Sequence, residues 1–123
     1  MNKIKNYSSL QNIFLFLLIL FSVAITFYSG YRGVFPLDSF LIFDGGYKIL
    51  NGFHPFKNYW SITGPFLDYL QSLLFFLFGV SWGSYILHSA LINVLLSTIC
   101  FYFFIKLGLN IFFSFTYALS IAL

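Results

Sequence analysis

The chain has 123 residues, of which 60% are hydrophobic, 24% aromatic and only 7% charged, with a mean hydropathy of +0.91. Soluble domains carry about a quarter charged residues, so this composition excludes an ordinary water-soluble enzyme and reads as an integral membrane protein. The net charge of +3 comes from six scattered basic residues against three acidic ones, which gives nucleic-acid binding no support and favours anionic lipid.

At this length the chain can hold three or four spanning segments and no separate soluble domain, so any chemistry must use loops at the bilayer surface. The first twelve residues are polar and include Lys3 and Lys5. The apolar run after them predicts a crossing at 13–31, roughly 19 residues and about 28 Å as a helix, close to the hydrocarbon thickness. No small-x-small cleavage site follows it, which argues against a signal peptide. Tyr28 and Tyr31 stand where an interfacial aromatic belt would.

Gly30, Gly33 and Pro36 then predict a break, and Asp38 or Ser39 is placed to cap a helix at 39–51 that closes at Asn51-Gly52. Phe40, Phe43, Tyr47 and Leu50 recur at three- and four-residue steps on one face, with Asp44 and Lys48 on the other. Too short to span, this helix is expected to lie on the membrane with the charged pair toward water or a cavity. Pro55 forbids a helix through His54, so 52–64 reads as a loop whose Lys57, Asn58, Tyr59 and Trp60 make a polar and aromatic surface. Gly64-Pro65 opens a second short helix, 65–78, of about 20 Å, expected to be re-entrant or surface-lying.

The run 84–105 is again long enough to cross and ends at Lys106-Leu107-Gly108. A third run, 109–123, stops without a flanking charge or aromatic belt and reads as a truncated membrane helix. The expected fold class is therefore an all-α membrane protein, one incomplete transmembrane domain over 1–123. It has two full crossings, a truncated third, and two juxtamembrane helices in a first external loop at 32–81. Lys3, Lys5 and Lys106 fall on one side, while Arg32, Lys48 and Lys57 on the other are offset by three Asp, which orients the N-terminus toward the cytoplasm.

All three carboxylates of the chain, Asp38, Asp44 and Asp68, lie within 36–68. Asp38 could take a proton from an acceptor hydroxyl or hold a metal, and as plain structure it would be a helix cap. Asp44 could act or merely pair with Lys48, four residues on. Asp68 falls in the first turn after Pro65, where the helix dipole favours an anion and explains it without a function. His54 could bind phosphate or relay a proton, or be a solvated loop histidine. Arg32, Lys48 and Lys57 could pair with a lipid-linked phosphate, and Tyr59 and Trp60 could stack on a sugar or prenyl unit, or together they form an interfacial belt. His88, inside the second crossing, is expected to bond to a polar partner on another helix. Cys100 stands alone in an apolar run and behaves as a small hydrophobe. No metal-ligand spacing, nucleophile motif or phosphate loop is present, since Gly45-Gly46 lacks a preceding strand.

Taken in order, Asp38, then Gly46-Tyr47-Lys48-Ile49-Leu50-Asn51-Gly52, Pro55-Phe56, Tyr59-Trp60, Gly64-Pro65 and Leu77-Phe78-Gly79 resemble the first external loop of the GT-C membrane glycosyltransferases of the protein-mannosyltransferase and aminoarabinose-transferase type. The resemblance covers about residues 30–106. It implies transfer of a sugar from a polyprenyl-phosphate donor, Asp38 as the catalytic carboxylate, Asp44 as a second candidate, and a plasma (bacterial inner) membrane location with 32–81 outside. A divalent metal is compatible with it, although Ser39 stands where many members carry Glu. Members have many more crossings, so the resemblance also implies a missing C-terminal part or a partner subunit, without which this chain would not turn over. The alternative is non-enzymatic: small multi-span proteins of the GtrA-like group, which help lipid-linked sugars across a membrane, have a similar length, and an inactive relic would look the same.

Overall fold

The structure is a computed structural model that describes residues 2–33 and 36–122, with side chains described over 9–33 and 38–122. Those residues form five helices: α1 (Asn2–Arg32), α2 (Pro36–Leu50), α3 (Pro65–Phe78), α4 (Trp82–Lys106) and α5 (Ile111–Ala122). The side chains of Lys3 and Lys5, used above to orient the chain, lie outside the described residues. Ser9–Arg32 and Trp82–Lys106 are long and apolar enough to cross a membrane. Only 11% and 28% of their most apolar windows are buried, unlike the core helix of a soluble protein, so both suggest a membrane protein.

The chain divides into two compact units, one of residues 1–29 and 90–123 and one of Gly30–Ser89, so α1 and α4 contribute to both. In the first unit Leu18, Phe101, Ile111 and Ala118 form the core, with Phe14 edge-on to Phe115 at 5.2 Å. The interior is nonetheless partly polar. Asn93 donates to Thr26 Oγ1 at 2.9 Å and to the Ala122 carbonyl at 3.1 Å. Ser97 gives its proton to the Asn93 carbonyl at 2.8 Å, so in the buried Ser22–Ser97 contact of 3.1 Å it is Ser22 that donates. Outside, α1 presents Ile13, Phe16, Leu20 and Phe21. Small hydroxyl residues between helices and apolar side chains on the outer face are the pattern lipid-embedded helices use.

Capping decides where the elements stop. The N–H of Phe53 bonds to Lys48 O and that of Gly52 to Ile49 O, and the N–H groups of Leu109 and Gly108 do the same to Phe104 O and Ile105 O. Both are Schellman closures, with Gly52 at φ 84° and Gly108 at φ 87° in the left-handed region that glycine enters without penalty. Asn110 then caps α5 by accepting from the Phe113 N–H at 2.9 Å. Ser81 accepts from the Ser84 N–H at 3.2 Å, so α4 starts at Trp82, two residues ahead of the expected 84.

The second unit holds the loop region and departs from the sequence expectation in two ways. α1 continues through Gly30 to Arg32, and the Trp82 indole donates to the Gly30 carbonyl at 2.9 Å. α2 starts at Pro36, whose fixed φ and missing N–H suit a first turn, so Asp38 lies inside that turn. Of the apolar stripe expected toward the membrane, Phe40, Tyr47 and Leu50 are exposed and Phe43 is half-buried, while α2 buries Gly45 and Gly46 against α3. A Cβ on Gly45 would stand 2.5 Å from the Asp68 carboxyl carbon, and one on Gly46 2.5 Å from Gln71 Cγ. Two missing side chains let the backbones approach, as small residues do between membrane helices. Around this contact Phe43 packs edge-on against Phe75 at 4.8 Å, and Trp82 stacks on Tyr85 at 4.8 Å.

α3 is inside out. Its buried residues are Asp68, Gln71, Ser72, Leu74 and Phe75, while Phe66, Tyr69, Leu73, Phe76 and Leu77 face outward. Gln71 Oε1 meets His88 Nδ1 at 2.9 Å, which supplies the cross-helix partner expected for that histidine.

Candidate functional site

The site forms where α2, the segment 59–63 and the start of α3 meet. Asp68 is its centre. Placed by Pro65 in the first turn of α3, the carboxylate lies at the positive end of the helix dipole and is only 1% exposed. The Tyr59 hydroxyl stands 2.9 Å from Asp68 Oδ2 and 3.3 Å from the Gly45 carbonyl. It has one proton, and the shorter, charged acceptor takes it. Thr63 Oγ1 lies 3.5 Å from Asp68 Oδ1, at the outer limit of a hydrogen bond. Burial, and after it the Asp68 carboxylate, push the Tyr59 phenol well above its ordinary range, so it remains a donor at any physiological pH.

Beside Asp68 lies a cavity of about 100 Å³, walled by Asp44, Lys48, Tyr59, Trp60, Ser61, Thr63 and Asp68 together with Leu41, Gly45 and Ile62. Lys48 Nζ is 2.6 Å from Asp44 Oδ2 and 5.0 Å from the centre of the Tyr59 ring. The ion pair is half exposed and worth about 0.3–0.5 kcal/mol, so it shapes the charge of the wall more than the stability of the fold. Ser61 is 8% exposed, and its Oγ has no hydrogen-bond partner among the described residues.

The adjoining loop is tightly folded for its length. The His54 N–H donates to Asn58 Oδ1 at 2.9 Å, the Asn58 N–H returns to the His54 carbonyl at 2.9 Å, and the Phe56 N–H bonds to Tyr59 O at 2.7 Å. This closure forces Phe56 to φ 62°, an uncommon value for a residue with a Cβ. It also turns Phe56 and Trp60 outward as an edge-on pair at 5.3 Å, with Trp60 78% exposed. His54 Nδ1 reaches the Tyr69 hydroxyl at 3.0 Å.

Of the residues singled out by sequence, the structure gathers Asp44, Lys48, Tyr59 and Trp60 around the cavity. Asp38 is exposed in the first turn of α2 and does not line it. Arg32 is exposed in the last turn of α1, and His54 and Lys57 are exposed in the loop, also away from the wall. Among the described residues no three His, Cys, Asp or Glu side chains cluster as a metal site would require. Asp68, Ser61 and Thr63 are the additions. The spacing Asp68, Gln71, Ser72 on an otherwise apolar helix, facing a Gly45-Gly46 pair, was the available signal for Asp68. Comparison with protein-family models, curated proteins and solved structures gives no match for this chain.

Proposed function

We propose that this chain is an integral membrane protein whose region 36–68 belongs to a glycosyltransferase that takes a sugar from a polyprenyl-phosphate donor. The observation that carries the reading is a polar cavity with a buried carboxylate, set among helices whose outward faces are apolar. A donor of this class has a long apolar tail and a hydroxyl-rich head, and it requires both surfaces in one place. The exposed Phe56 ring beside the cavity suits the prenyl chain, and Arg32, His54 and Lys57 are the groups proposed for its phosphate. The chemistry itself comes from the GT-C resemblance, in which Asp38 deprotonates or orients the acceptor while the sugar leaves its phosphate. In this reading 32–81 is external and the protein lies in a bacterial inner membrane, working with a partner subunit.

The test is photo-crosslinking of membranes containing the full chain with a polyprenyl phosphate that bears a diazirine in its first isoprene units. Adducts are expected on peptides within 53–66. Adducts confined to α5 or the first half of α1 would sink the reading. In membranes that support transfer, Asp38→Asn is expected to abolish sugar movement while insertion and yield stay normal; unchanged transfer would remove Asp38 from the mechanism.

A further inference from the structure

The cavity beside Asp68 has a more specific chemistry than a general polar loop. We infer that the cavity walled by Asp44, Tyr59, Trp60, Ser61, Thr63 and Asp68 is a subsite for the hydroxyl-bearing edge of a single sugar ring. This deepens the proposed function, because the sugar it receives would be the head of the lipid-linked donor.

Three observations carry it. First, Ser61 is nine-tenths buried on the cavity wall, with its Oγ unpartnered among the described residues. A buried hydroxyl left unmade in both roles calls for a ligand that donates and accepts at once. A sugar hydroxyl does both, as the water it would displace does; a metal cation satisfies only the lone pairs, and an ammonium only donates. Second, the charges on the wall disfavour an anion: two carboxylates face one ammonium, and Lys48 stands 2.6 Å from Asp44, so an entering phosphate meets a net negative wall. Asp68 itself, held by Tyr59 and Thr63, keeps lone pairs for a neutral hydroxyl donor. Third, Trp60 lines the cavity while 78% exposed, so its ring stands at the mouth, where it can cover the C–H face of a sugar. About 100 Å³ admits the equivalent of a few waters at about 30 Å³ each, enough for one edge of a ring and too little for an oligosaccharide.

The experiment is ligand-observed saturation-transfer NMR on the full chain in detergent micelles. The probes are the methyl glycosides of a hexose, a pentose and an N-acetylhexosamine, with inorganic phosphate, sodium and calcium as separate additions. Saturation is expected to reach ring protons of at least one glycoside at millimolar concentration. Asp68→Asn should weaken that binding about tenfold or more, as loss of a hydrogen bond to a charge does. Ser61→Leu, which fills the cavity, should abolish it. Trp60→Ala changes an exposed side chain and leaves folding intact, so its expected loss of affinity keeps the test decisive if the buried variants do not fold. Absence of transfer to every glycoside, or transfer unchanged in Trp60→Ala and in whichever buried variants fold, overturns the inference. So does stabilisation by sodium or calcium with no glycoside bound. Glycoside binding here with no polyprenyl-phosphate adduct near the loop leaves the subsite standing and sinks the transferase reading; adducts without glycoside binding do the reverse.

Discussion

Asp68 and Tyr59 form the most consequential pair in the molecule. A carboxylate that is 1% exposed is costly unless donors meet it, and the Tyr59 hydroxyl at 2.9 Å is the principal one. Burial and this bond raise the phenol above its value in the unfolded chain, which is about 10. A group whose folded pKa is raised contributes stability that is complete below the unfolded value and is lost as pH climbs through and beyond it. The chain in detergent is therefore expected to lose stability above about pH 10, and Tyr59→Phe to flatten that loss. Thermal unfolding followed by circular dichroism across alkaline pH checks this; an identical alkaline slope in Tyr59→Phe would place the titrating group elsewhere.

The α2–α3 contact shows how an element is positioned by what it lacks. Periodicity in α2 puts Phe40, Phe43, Tyr47 and Leu50 on a side expected toward the membrane, and Phe40, Tyr47 and Leu50 are exposed; the face packed on α3, which periodicity does not reveal, carries Gly45 and Gly46. For a helix in lipid, exposing large apolar side chains costs nothing, so the face with the smallest side chains and the closest backbone approach wins the contact. Gly45→Ala would put its Cβ 2.5 Å from both the Asp68 carboxyl carbon and Oδ1, and no rotamer change on α2 relieves that. It is expected to cost about 1–3 kcal/mol. Gly33→Ala, with nothing within 4 Å of its Cβ, should stay within about ±0.5 kcal/mol. Equal unfolding midpoints for the two variants would mean that the Gly45 contact does not organise the unit.

For the whole molecule the outward apolar faces are the governing feature. Phe16, Leu20, Leu95, Ile99 and Phe103 on the two long helices are all exposed, as are Phe66, Leu73 and Phe76 on α3. Water would drive such faces together, whereas lipid leaves them outward while Ser22–Ser97 and Gln71–His88 bond inside. If α4 crosses the bilayer, Lys57 and Lys106 stand on opposite sides of it. With Cys100→Ser removing the native thiol, Lys57→Cys in cells is expected to react with a membrane-impermeant maleimide, and Lys106→Cys only after permeabilisation. Labelling of both from outside would rule out that crossing.

The membrane class, the two long apolar helices and the short helix at 65–78 follow from composition, run length and the Gly64-Pro65 and Gly79 breakers, because hydropathy and turn chemistry are local properties. Helix starts were less legible where the decisive residue was a Pro read as a breaker, as with Pro36, or a serine cap such as Ser81. The candidate site was legible in part: Asp44, Lys48, Tyr59 and Trp60 were named from their loop and do line the cavity. The burial of Asp68, the unpartnered Ser61 hydroxyl and the exclusion of Asp38 from the cavity wall were not. They depend on which face of α2 meets α3, and that choice is made by side-chain volume across two helices that are separate in sequence.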